Sequence, residues 1–288
     1  VAMASDEGPV RSVRLLTWNL WMSSSFCQMR MEAVCRSMRQ HQPDVVAFQE
    51  VTPEMLQLLM KNEAFADYKG SVPPNEDFLE KYDGYTTILL SRLPLAIESQ
   101  PGGKRIPFKR SKFGRDLATI TVVCGPERVT IGSSHFESLP ENSQTRLAQL
   151  QEAFSYLSAE GTHCVLMGDC NLMSDVDGEF KLPTGWSDAW ICAGNKDEDG
   201  LTFDAMRNGL VDGPYADRLD RIFYKLPTRV KPQRCEMLGL DKIQVAMPLP
   251  PDPQESAQLH ESVGSGPRNP LALRLSLVNR GEVAGAGV

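Results

Sequence analysis

Seven short stretches rich in Val, Ile, Leu, Thr and aromatic residues run through the chain, each close to turn formers: residues 13–18, 44–49, 85–90, 117–123, 129–134, 163–168 and 219–224. Their length and β-branched content predict strands. Three other stretches carry a helical pattern. Met31, Val34, Cys35 and Met38 fall at i, i+3, i+4 and i+7. Thr52-Pro53 reads as an N-cap followed by a proline at the first helical position, opening a helix with Met55, Leu56 and Leu59 on one face. Ser143 is the expected cap of a third helix, with Leu147, Leu150, Phe154 and Leu157 facing inward. Hairpin-like strand pairs alternating with single helices predict an α/β fold, with sheets packed together under an outer helical layer. No internal repeat is visible.

The pattern changes after Tyr224. Residues 248–270 hold Pro248, Pro250, Pro251, Pro253, Pro267 and Pro270, which is loop composition. Leu271–Val278 then reads as a last strand. One domain is expected over residues 11–280, between a tail at 1–10 and another at 281–288.

Several strands end in polar residues that a hydrophobic core has no use for. The first runs into Asn19 and the second into Gln49-Glu50. The strand at 129–134 is followed by His135-Phe136-Glu137-Ser138. The strand at 163–168 is followed by Asp169-Cys170-Asn171, and the strand at 219–224 carries Asp220. Each alone reads as an ordinary turn or helix lead-in. Together they are carboxylates, amides and an imidazole that loops at one sheet edge can gather into a cleft. Carboxylates with few soft ligands favour a hard cation such as Mg²⁺.

Composition narrows the chemistry. The formal net charge of −7 argues against a general nucleic-acid coat. Against that trend, Lys104, Arg105, Lys109, Arg110, Lys112 and Arg115 crowd twelve residues. They read either as a solvated loop or as a local anion-binding lobe. A Mg²⁺ carboxylate site beside such a lobe suits phosphate-ester chemistry. Seven scattered cysteines without a C-x-x-C pair make a zinc site or disulfide framework unexpected and point to a reducing compartment. The acidic first residues do not read as a signal peptide, and no apolar run reaches the roughly 18 residues of a membrane span.

Thr17-Trp18-Asn19, Phe48-Gln49-Glu50 and Gly168-Asp169-Cys170-Asn171 resemble, in that order, three signature motifs of the endonuclease/exonuclease/phosphatase superfamily, the DNase I-like fold. Ser134-His135-Phe136-Glu137-Ser138 with Arg146-Leu147-Ala148-Gln149-Leu150, Gly114-Arg115-Asp116-Leu117 and Arg218-Leu219-Asp220-Arg221-Ile222 resemble its tyrosyl-DNA phosphodiesterase 2 family. Asp177–Pro183 and Trp186–Trp190 resemble the plant-type branch. The likeness covers roughly residues 11–245.

The resemblance implies a four-layered α/β sandwich, with two central sheets flanked by helices and the site at one sheet edge. It implies Mg²⁺, or Mn²⁺ in its place, held chiefly by Glu50, with Asn19 near the scissile phosphate. Asp169 would position or deprotonate the attacking water, and Asn171 would hold the phosphate or that water. His135 and Ser138 would contact the phosphate, and Arg115 would neutralise developing charge. The implied substrate is a DNA 5′ end carrying tyrosine or a peptide adduct, left by a trapped topoisomerase. That substrate implies a hydrolase of DNA repair in the nucleus, also present in the cytoplasm; a monomer with no membrane partner is expected.

Two positions depart from the family pattern. Trp21 stands where some relatives keep an Asp. The Ser-Asp-His that normally precedes the last strand reads Arg268-Asn269-Pro270, and His260 lies ten residues upstream of Pro270. Reduced activity follows as an expectation. Other readings stay open: a homologue that binds phosphorylated DNA ends without turnover, or another superfamily hydrolase such as a nuclease, deadenylase or phosphatase.

Overall fold

The computed structural model describes residues 12–71, 84–96, 103–124, 126–207, 214–227, 230–239 and 271–277, with Val230, Lys231 and 271–277 described by backbone alone. The expected tails, the loop at 248–270, His260 and Arg268-Asn269-Pro270 lie outside the described residues.

Two β–α–β units form the frame. β1 (Ser12–Asn19) passes through α1 (Cys27–His41) to β2 (Val45–Val51), which pairs parallel to it. β7 (Glu127–His135) passes through α3 (Ser143–Glu160) to β8 (Cys164–Asp169), also parallel. Antiparallel strands flank each pair. β14 (Leu271–Leu277) and β4 (Thr86–Ser91) border the first, with β13 (Val230–Met237) and β3 (Lys69–Gly70) outside them. β6 (Asp116–Cys124) and β12 (Asp220–Lys225) border the second, with β5 (Lys104–Pro107) and β9 (Ser187–Asp188) outside, while β10 (Phe203–Asp204) and β11 (Ala216–Asp217) form a separate two-stranded sheet. The two six-stranded sheets pack face to face through Leu15, Val45, Leu89, Ile120, Ile131, Val165 and Ile222. α1 and α2 (Pro53–Met60) cover the outside of the first sheet, and α3 covers the outside of the second. This is the expected four-layered α/β sandwich. No helix among the described residues is long and apolar enough to cross a membrane.

Alternation of side chains along each strand explains where polarity collects. On the face of β1 that looks into the sandwich, Leu15 is followed by Thr17 and then Asn19. The matching series are Val45, Ala47, Gln49 on β2, Ile131, Ser133, His135 on β7, and Val165, Met167, Asp169 on β8. On the antiparallel neighbours the order reverses. Asp116 precedes Ala118 on β6, and Asp220 precedes Ile222 on β12. The inter-sheet core therefore changes from apolar to polar toward one edge. Just inside that edge, Gln49 Nε2 donates to Thr17 Oγ1 and to Ser133 Oγ, each at 3.2 Å, tying the two sheets together.

Three expectations need correction. The basic stretch begins as strand β5, not as a loop. There Arg105 pairs with Asp116 at 2.7 Å and Lys104 with Glu160 at 2.9 Å, so two of its cations are already neutralised. Ser143 is the first residue of α3, not its cap. A 3₁₀ turn at Pro140–Asn142 runs directly into the helix, and Ser143 already has helical dihedrals. The inner face of α3 also buries Arg146 and Gln149, which the apolar pattern of that helix does not reveal. Thr52 does cap α2, its side chain accepting from Met55 N at 3.3 Å.

Candidate active site

The polar ends of β1, β2, β7 and β8 meet at the edge of the sandwich. Asn19 sits between two carboxylates, its Nδ2 donating to Glu50 Oε1 at 2.8 Å and to Asp169 Oδ2 at 2.7 Å. Its Oδ1 accepts from Trp21 N at 2.9 Å. Glu50 Oε2 accepts from Met22 N at 2.9 Å. Asn19 therefore links the two sheets, and the β1–α1 loop closes over it.

Glu50 reaches this position through backbone irregularity. The β2–β4 register shifts between Phe48 and Val51, and Glu50 adopts φ 58°. A left-handed conformation at a non-glycine residue costs on the order of 1–3 kcal/mol and is characteristic of functional sites. Asn171 also has positive φ, at 48°, where asparagine is better tolerated than most residues. Its N–H donates to Asp169 Oδ1 at 3.1 Å and its Nδ2 to the Phe136 carbonyl at 2.9 Å. Gly168, with φ 145°, lets β8 approach β7 at this point. A Cβ there would lie 2.2 Å from the Ser134 carbonyl oxygen.

Asp169 is fully buried, and His135 Nε2 lies 3.2 Å from its Oδ2. On the other side of the ring, Arg115 Nη1 stands 3.0 Å from His135 Nδ1. Arginine side chains only donate, so Nδ1 is the acceptor and neutral His135 carries its proton on Nε2, toward Asp169. The Arg115 guanidinium carbon lies 5.3 Å from the Tyr85 ring centroid and 5.4 Å from that of Phe113. Arg115 Nε is buried without a hydrogen-bond partner among the described residues. The cleft beside it is lined by Glu50, Tyr85, Thr86, Thr87, Phe113, Gly114, Arg115, Asp116 and His135. A buried, unsatisfied cationic donor at a cleft wall suits an anionic ligand.

Ligand atoms of Glu50, His135 and Asp169 lie within 4.8 Å of one another. The two carboxylates fit a hard divalent cation. His135 fits less well as a ligand, because Arg115 occupies one ring nitrogen and the proton the other.

Six of the seven residues singled out from sequence form one contact chain: Asn19, Glu50, Asp169, Asn171, His135 and Arg115. Ser138 stands apart from the contacts that build the chain. It is half-buried on the loop after β7, and its carbonyl accepts from Asn142 Nδ2 at 2.8 Å. Of the cations at 109–112, Lys109, Arg110 and Lys112 are exposed. Tyr85, Thr86 and Thr87 carry no sequence signal for the cleft, since they lie at the start of a strand whose partner is distant in sequence. Asp220, already visible as an odd acid in a strand, is buried directly opposite Asp169 in the β8–β12 ladder.

The tyrosyl-DNA phosphodiesterase 2 of Mus musculus is 30% identical over 240 residues, covering 81% of this chain and 62% of that protein. The Homo sapiens protein of the same name is 26% identical over 238 residues, covering 80% and 63%. The chain thus spans just over three-fifths of the length of these curated relatives. Danio rerio TDP2 complexed with single strand DNA product superposes with a TM-score of 0.73 at 22% identity, covering 92% of this chain and 98% of that one. A Bacteroides thetaiotaomicron mannosyl-6-phosphatase superposes with a TM-score of 0.66 at 15% identity, covering 91% and 99%. These structural likenesses bear on the fold. A family model for the Endonuclease/Exonuclease/phosphatase family matches residues 16–240, and the chain belongs to that family.

Proposed function

We propose that this chain is a Mg²⁺-dependent phosphodiesterase that releases tyrosine or a peptide stub from DNA 5′ ends, acting as a monomer in the nucleus. The observation that carries the reading is the continuous contact chain Glu50–Asn19–Asp169–His135–Arg115, ending in an unsatisfied guanidinium donor at a cleft. Similarity to the tyrosyl-DNA phosphodiesterase 2 proteins supplies the substrate class.

Glu50, with Asp169 beside it, would hold the cation. When bound, it would supply Lewis-acid stabilisation of phosphoryl charge. The rest falls to the chain's own groups. Asp169, oriented by Asn19, Asn171 and His135, positions the attacking water and accepts its proton. Asn19 and Asn171 place amide groups beside the phosphate. Arg115 stabilises charge that grows on phosphate oxygens or on the departing phenolate. A phenolate with a pKa of about 10 leaves with less acid assistance than a sugar hydroxyl, so tyrosyl esters are favoured over ordinary phosphodiester links.

The test is an oligonucleotide bearing 5′-phosphotyrosine, incubated with Mg²⁺ and either the native chain or Asp169→Asn. Release of tyrosine by the native chain, slowed by a factor of at least about 10² in the variant, is expected. Equal product from both, or none from either, sinks the reading. A second reading, end binding without turnover, is favoured by Asn269-Pro270 standing where the family keeps Asp-His. Tight binding of the 5′-phosphotyrosyl end with no release would establish it. If the first reading holds, Pro270→His raises the rate.

A further inference from the structure

Glu137 lies two residues beyond His135, and its side chain is fully buried. The chemistry above gives it no task. Yet four donors converge on its carboxylate. Oε2 accepts from Ser111 Oγ at 2.9 Å and Gln149 Nε2 at 2.8 Å. Oε1 accepts from the backbone N–H groups of Lys112 and Phe113, both at 2.9 Å. Gln149 continues the network, donating to the Arg110 carbonyl at 2.8 Å and accepting from Glu137 N at 2.9 Å. Ser111 Oγ in turn accepts from Arg115 N at 2.7 Å. The segment 110–115 is thus strapped to the end of β7 through one carboxylate and one amide, and Arg115 closes the strap.

A buried carboxylate ordinarily finds a cation. Among the described residues Glu137 makes no ion pair, and neutral donors satisfy it instead. Only a carboxylate presents acceptors on both oxygens. A glutamine would turn its NH₂ either toward two backbone N–H groups or toward Ser111 and Gln149.

We infer that Glu137 is a positioning residue. It fixes the 111–115 strap so that the Arg115 guanidinium meets His135 Nδ1 with Phe113 beside it. The inference rests on reading this centre as a phosphodiesterase site. Its effect is transmitted through Arg115 and requires no contact between Glu137 and substrate.

The test uses the full chain, Glu137→Gln, Arg115→Ala and the double variant, with the p-nitrophenyl ester of thymidine 5′-phosphate and Mg²⁺. Amide hydrogen exchange is followed in parallel. Glu137→Gln is expected to lower kcat by about 10–100-fold with little change in KM, the usual scale for a misplaced group. The double variant is expected to be no slower than Arg115→Ala by more than about twofold, because both changes remove one action. Protection at Lys112 and Phe113 falls, while Ile120 and Leu166 in the sheet stay protected. Ser111→Ala, which keeps the carboxylate, gives a smaller loss of the same kind and carries the test if Glu137→Gln does not fold. Multiplicative losses in the double variant overturn the inference, as does unchanged protection at Lys112 and Phe113. A native chain without turnover sinks the phosphodiesterase reading, and exchange alone then decides the anchoring.

Discussion

The two β–α–β units bury an arginine in the same place and satisfy it in opposite ways. In the first, Arg30 of α1 is enclosed by backbone carbonyls. It donates to Trp21 O at 2.9 Å, to Ser25 O at 3.0 Å, and to the carbonyls of Leu20 and Ser23. Its guanidinium also lies 5.1 Å from the Trp21 ring centroid. Burial pulls the Arg30 pKa down from its usual value, and the charge of Glu50 is among the influences opposing that. In the second unit, Arg146 of α3 forms a fully buried ion pair with Asp177 at 2.7 Å and donates to the carbonyls of Glu137 and Leu139, each at 3.0 Å. Asp177 also accepts from Met173 N at 2.8 Å.

Each arginine thus braces the loops that carry the centre. Arg30 collects the carbonyls of residues 20–25, leaving the amides of Trp21 and Met22 to serve Asn19 and Glu50. Arg146 binds the loop after His135 to the loop after Asn171. The difference lies in what is left when the arginine is removed: neutral carbonyls in one unit, a buried charge in the other.

Arg146→Met is expected to have the largest effect. It strands Asp177, and a buried pair broken at one end costs about 3–5 kcal/mol, read by urea unfolding. Adding Asp177→Asn, which keeps an acceptor for Met173 N, should recover part of that loss. A double variant no more stable than the single one would show that the charge is not the cause. Arg30→Met comes next, at about 1–3 kcal/mol, because its carbonyl partners lie on a loop that water can reach. Turnover should fall together with stability in this variant, since the Met22 contact to Glu50 loosens.

The smallest effect is expected at the far end of α3, where Lys104 and Glu160 form an exposed pair at 2.9 Å. Lys104→Ala should cost no more than about 0.2–1 kcal/mol. The Lys104 hydrogen bond holds the Glu160 carboxyl below its usual range, and the same bond raises the Lys104 pKa. The Glu160 contribution is therefore present above about pH 4.3 and is lost as pH falls through its lower folded value. The Lys104 contribution is lost as pH rises through its raised one. The difference between native and variant stability should accordingly disappear in acid. A difference that persists there would mean packing, not charge, separates the two proteins.

Much of the candidate site was legible in the sequence, because its residues sit at or just after strand ends, where an amide, a carboxylate or an imidazole breaks an apolar alternation. Asn19, Glu50, His135, Asp169 and Asn171 all announced themselves in that way. Glu137 and Gln149 were present in the family-like motifs, but their joint task was not readable. It depends on which segment folds against them, and residues 111–113 lie on a separate connection. Arg115 stood out by charge as one cation in a run of six, and by resemblance within Gly114-Arg115-Asp116-Leu117. Its charge alone did not separate it from Arg105, which pairs with Asp116, or from the exposed Lys112.

The sequence by itself determined the four central strands of each sheet, the covering helices and the polar character of the strand ends. Those follow from side-chain period and local backbone preference, which a few neighbouring residues settle. Only the tertiary structure decided that the polar ends of both sheets face one edge, that Glu50 leaves the β2 alternation to join Asn19, and which buried arginine meets a carboxylate. Those outcomes depend on contacts between residues as far apart as Asn19 and Asp169, where sheet packing, not local preference, sets the geometry.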